Sequence, residues 1–189
     1  GVGKISAGDT VHLCGTLTTA LTVQASGTTG SPITVRFEAN AKLSQAAANL
    51  FSFGGKNYIT VDGGSNGIME NTDNGSALGN RVATRAMEGS GSGNIIVKNL
   101  TIQNMYVHST LDDTTIDHTN SNCYYANGAT GPVAFHNNTI SHVGWCVTIQ
   151  NYSNNPIIDI HNNTFVFYDH GVSMGNQSAT PSFTVNIYN

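Results

Sequence analysis

A six-residue pattern recurs along this chain, and a repeat at near-fixed spacing restricts the fold more than any composition does. Its clearest copies are Val97-Lys98-Asn99-Leu100-Thr101-Ile102, Phe135-His136-Asn137-Asn138-Thr139-Ile140 and Ile160-His161-Asn162-Asn163-Thr164-Phe165. Each reads apolar, polar, Asn, variable, Thr, apolar. Fainter copies lie at Thr34-Val35-Arg36-Phe37, Thr60-Val61-Asp62-Gly63-Gly64-Ser65 and Thr184-Val185-Asn186, with Thr10-Val11-His12 as the first. Anchored on the central apolar residue, the copies fall at positions 11, 35, 61, 97, 135, 160 and 185. Four of the steps are near 25 residues; the other two carry about a dozen extra residues each. Those extra residues have loop composition: Glu70 to Ser76 and Glu88 to Gly93 in one, Thr110 to Thr115 in the other.

Within each copy apolar and polar residues alternate, which is the strand period, and no i, i+3, i+4 spacing is visible. A coil of about 25 residues holds three short strands joined by turns. Such coils stack at about 4.8 Å, with equivalent residues one above another. The pattern therefore predicts an all-β solenoid of about seven coils, a parallel β-helix. Asn99, Asn137 and Asn162 are expected in one column, hydrogen-bonding as an amide ladder and supplying left-handed turn corners. Thr101, Thr139 and Thr164 form a second column, and Ile102, Ile140 and Phe165 a buried third. A later strand also repeats, so that Cys123 and Cys146 become stacked neighbours, either as buried thiols or as a disulfide. An antiparallel sandwich is the main structural alternative, although it has no need of one pattern at one period.

Charged residues are 10% of the 189, the net charge is −4, and Lys plus Arg number seven. No basic stripe is present, which argues against nucleic acid as a partner. No apolar run approaches the roughly 18 residues of a membrane helix. The third cysteine, Cys14, leaves at least one thiol unpaired, and no metal-type CxxC spacing occurs. The chain opens at Gly1 without Met, which reads as processing or trimming. It stops at the start of another repeat, without an obvious C-terminal cap. Residues 1–189 thus read as a single domain, the N-terminal part of a longer solenoid.

The runs from Asn94 to Asn104 and from His136 to Ile140 resemble the right-handed parallel β-helix repeats of the pectate-lyase-like superfamily. The opening from Gly8 to Thr16 is similar to the first coil of its secreted bacterial members. The resemblance covers nearly the whole chain. It implies a right-handed helix, an extracellular location and a polysaccharide as partner. It also implies lyase or glycoside hydrolase chemistry, with calcium the usual ion of related lyases. The superfamily also contains adhesins, so a non-catalytic structural or filament-forming module with end-to-end self-association is the competing expectation.

Three groups of residues are candidates for chemistry. His12, Arg36, Asp62, Lys98, His136, His161 and Asn186 are expected on one outward column, with Asp159 on the same face. Lys98, His136, Asp159 and His161 form the candidate catalytic cluster, because a lyase needs a base near neutral pH and a cation beside the acidified proton. The plain alternative is a column that is polar because it faces water. The second group is Asp169-His170-Gly171 with Asn71-Thr72-Asp73 and Asp112-Asp113. These are similar to polygalacturonase motifs, in which two carboxylates flank the scissile bond. Their spacing departs from that family, whose motifs lie on successive coils. His170 is expected to stack on Trp145, and Trp145 and Tyr168 are candidate substrate-binding residues. The third is a metal: His136, His161 and Asp159 could share an ion, and Asp112, Asp113 and Asp117 offer the nearest approach to a calcium set.

Overall fold

The computed structural model describes residues 4–46, 49–72, 84–105, 121–152, 157–175 and 184–188; of 167–169 it describes the backbone alone. Asp73, Asp112, Asp113 and Asp117 lie outside the described residues, as do the side chains of Tyr168 and Asp169.

The fifteen strands among the described residues belong to one sheet, and every pairing between them is parallel. The described residues contain no helix. This excludes the sandwich, whose sheets are built from antiparallel pairs. The sheet runs as three columns. The first joins Thr10–Leu13, Ile33–Phe37, the start of Ile59–Asn71, the start of Ile95–Gln103, Val133–His136, Ile157–His161 and Thr184–Tyr188. A second joins Thr16–Leu17, Lys42–Gln45, the later parts of Ile59–Asn71 and Ile95–Gln103, and the starts of Thr139–Gln150 and Thr164–Gly175. The third joins Leu21–Thr22, Asn49–Ser52, Arg85–Glu88, Asn122–Asn127 and the ends of the two long strands.

The columns stack like residues on like. Val35, Val61, Val97, Phe135 and Ile160 follow one another in register, as do Ile33, Ile59, Ile95, Val133 and Ile158, and all ten are buried. Met69, Ile102 and Ile140 do the same in the second column, Phe51, Met87, Tyr124 and Val147 in the third. Burying one such side chain contributes about 1.5–3 kcal/mol, so these columns are the main stabilising element.

Two expectations are corrected. Ile160 pairs with Ile187, not with Val185, which stands opposite Ile158. A shift of two keeps every side chain on its face, so alternation alone cannot distinguish the two registers. Tyr188 therefore stands beside His161, and Asn186 beside Asp159. The amide ladder is also displaced by one residue. Asn99, Asn137 and Asn162 take left-handed φ angles of 59°, 57° and 53°, as corner residues. The ladder itself is made by Asn138 and Asn163, the residues after Asn137 and Asn162, with the backbone N–H of Leu100 at its end. Asn138 Nδ2 donates to Asn163 Oδ1 at 3.0 Å and to the Val97 carbonyl at 3.2 Å, while Asn138 Oδ1 accepts the Leu100 N–H at 3.0 Å. A left-handed backbone turns its own side chain outward and the next one in, where unpaired carbonyls and N–H groups of the corner need partners.

Candidate functional site

Strand alternation aims Arg36, Asp62, Lys98, His136, His161 and Tyr188 outward from the first column, on neighbouring strands in register. The structure thus brings the sequence candidates Lys98, His136, Asp159 and His161 onto one face.

Asp62 holds one end of this face. It is 6% exposed, yet it stays charged because four donors surround it. Its Oδ1 accepts from Asn99 Nδ2 at 2.9 Å and from the Gly64 N–H at 2.9 Å. Its Oδ2 lies 3.4 Å from Arg36 Nη1 and 3.6 Å from Lys98 Nζ. Burial pushes its carboxyl up, but the Asn99 and Gly64 hydrogen bonds and the two cations outweigh that and leave it below the usual carboxylate value. A carboxylate held this way is a poor nucleophile and a poor proton donor. It positions Lys98 instead.

The other end is an aromatic stack. The His136 and His161 rings are 4.7 Å apart at 3°, and His161 and Tyr188 are 4.9 Å apart at 3°. Burial, then His161 and Lys98, push the His136 imidazole below its ordinary value, against the opposing pull of Asp159 and Asp62. His136 is therefore neutral near pH 7, the form in which an imidazole accepts a proton. Asp159 Oδ2 lies 3.9 Å from His161 Nε2. His136 Nδ1, His161 Nδ1 and Asp159 Oδ1 are buried and have no hydrogen-bond partner among the described residues. Buried polar atoms normally find partners, and their grouping here marks a place where hydrogen-bonding capacity is unused.

Beside this cluster, two residues back along the same strands, lies a cleft of about 410 Å³. Thr60, Ile96 and Ala134 form its floor, Tyr58 and Pro132 stand in its wall, and Asp159 contributes to both cleft and cluster. Tyr58 is held in a left-handed conformation, φ 58°. A mostly apolar trough with an aromatic ring and a few polar groups suits the face of a sugar ring.

The second candidate group is separate. Trp145 and His170 stack at 3.9 Å and 5°, as the repeat predicts, but on the third column rather than the first. His170 covers one face of Trp145, and Trp145 Nε1 is buried without a hydrogen-bond partner among the described residues. The Tyr168 backbone pairs with Val143. Asn71 is buried and donates to Thr84 Oγ1 at 3.0 Å, a structural role.

No group of three or more His, Cys, Asp or Glu able to hold a metal comes together among the described residues. The parallel rings of His136 and His161 direct their lone pairs side by side rather than toward one point, which tetrahedral ligation requires. A calcium ion takes six to eight oxygens, and no carboxylate cluster of that kind is found among the described residues.

Sequence reasoning did not foresee the hub role of Asp62 or the stacking of Tyr188. The run Asp62-Gly63-Gly64 carried the first signal, since an Asp two residues before a Gly commonly accepts its N–H. Comparison of the chain with protein-family models, with curated proteins and with solved structures returned no match.

Proposed function

We propose that the chain is a right-handed parallel β-helix of about seven coils, of the pectate-lyase-like kind, that works outside the cell and binds polysaccharide along the outward face of its first strand column. The supporting observation is the conjunction on that face of an apolar cleft and unused hydrogen-bonding atoms at His136, His161 and Asp159. Chains of sugars offer apolar ring faces edged with hydroxyls, and a long flat face lets several rings bind in series.

If the bound polymer is also cut, elimination fits these residues better than hydrolysis. Hydrolysis needs two available carboxylates, and Asp62 is fully engaged. Elimination needs a neutral base and a nearby cation, which His136 and Lys98 supply. The test is a panel of acidic and neutral polysaccharides, scored for binding and for the ultraviolet-absorbing unsaturated product. Binding by at least one polymer is expected. Binding to none would remove this reading and leave a non-catalytic adhesive or filament-forming module as the account.

A further inference from the structure

We propose that Cys123 and Cys146 are an oxidisable pair that closes as a disulfide between neighbouring strands when the chain folds in contact with a disulfide-bearing oxidant. The parallel register sets Asn122 opposite Trp145 and Tyr124 opposite Val147, so Cys123 and Cys146 stand side by side, one strand spacing apart. That spacing is about 4.8 Å, inside the roughly 4.4–6.8 Å Cα separation that a disulfide spans. Both side chains are fully buried on the same core, and in the structure both thiols are free. Cys14 is exposed and far from this register, at the end of the first strand of the first column.

The step balances simply. Each thiol gives up one proton and one electron, and a bond forms between the two Sγ atoms. The disulfide of the oxidant takes the two electrons and two protons and leaves as two thiols. Burial, and then the neighbouring thiol, push the Cys123 thiol well above its ordinary value. In the folded, reduced protein Cys123 therefore offers almost no thiolate, and both core sulfurs are closed to solvent. The bond has to form during folding, before the core closes, and is protected from reductant afterwards. Once made, it closes the loop over residues 124–145 and restricts the unfolded chain. It also ties together the two strands that carry Tyr124 and Trp145, independently of whether any polysaccharide binds.

The test is to refold the reduced, denatured chain in mixed oxidised and reduced glutathione, then alkylate in denaturant and map the peptides. The expected result is one alkylated cysteine, Cys14, with a linked pair of peptides containing Cys123 and Cys146, and a urea midpoint that falls when reductant is added during unfolding. Chain secreted into an oxidising compartment should give the same count without any refolding. Native reduced protein given the same oxidant should react at Cys14 only. Three alkylated cysteines in folded protein from both routes, or a bond through Cys14, would overturn the proposal.

Discussion

The His161 imidazole lies flat on that of His136, ring centres 4.7 Å apart and planes within 3°. Neighbouring strands in parallel register force this contact, and it has an electrostatic consequence. Two imidazolium ions cannot share it cheaply. Lys98 adds a third positive charge on the Asp62 side, while Asp159 and Asp62 offer partial compensation.

Stability should therefore fall on acidification. The folded pKa of His136 is depressed, so its contribution is complete above the unfolded value of about 6.5 and is lost as pH falls through the lower folded value. Urea midpoints measured at pH 8 and pH 5 should drop for the wild type and drop less for His136→Gln. An equal drop in both would assign the loss to other groups.

Asp62→Ala removes one acceptor from four donors and leaves Arg36 and Lys98 facing each other. Breaking a buried ion pair from one side costs about 3–5 kcal/mol. Partial exposure of both cations places this case at the lower end. The variant should lose about 3 kcal/mol of unfolding free energy, read from urea curves. The single substitution Arg36→Ala should cost under about 1 kcal/mol, because Arg36 is half exposed.

The two asparagines of one corner should behave differently. Asn138 is 1% exposed and satisfies several backbone and side-chain groups. Asn138→Ala strands those partners and should cost about 2–3 kcal/mol. Asn137 matters for its φ of 57°, so Asn137→Ala should cost about 1 kcal/mol and Asn137→Gly much less. Equal costs for the alanine variants would place the ladder on the wrong residue.

Much of this architecture was legible in the repeat. The spacing from Val11 to Ile160 predicted each first-column pairing, and the alignment of Cys123 with Cys146 predicted the third. What failed shares one cause. Register at Val185 is a choice between Val185 and Ile187, which face the same way, and ladder position at Asn137 is a choice between two neighbouring asparagines, so each is a selection between residues of like character. Binary patterning is blind to that choice when the alternatives differ by two residues or sit in a corner. The site was only partly legible. Lys98, His136, His161 and Asp159 followed from alternation, whereas the cleft against Tyr58 and Pro132 depends on loop packing that no repeat encodes.

Gly63 tests the closeness of neighbouring turns. A Cβ placed there would lie 2.0 Å from the Asn99 carbonyl oxygen, on the next strand and beside the donor to Asp62. Gly63→Ala must push that turn aside. It should cost more than about 2 kcal/mol, and it should weaken ligand binding by displacing Lys98. Unchanged stability would mean that the turn has more room than the structure gives it.

The central claim is the location of the polysaccharide face, and binding isotherms of matched variants test it most directly. Ala134→Arg fills the floor of the cleft from an outward position, and Asp159→Ala removes the group shared by cleft and cluster. Ser173→Ala, on the third column, is the control. With a polymer that the wild type binds, both first-column variants should lose at least about tenfold in affinity, roughly 1.4 kcal/mol, with unchanged thermal unfolding, and the control should match the wild type. Full affinity in Ala134→Arg and Asp159→Ala would contradict the account and move the binding surface elsewhere on the sheet.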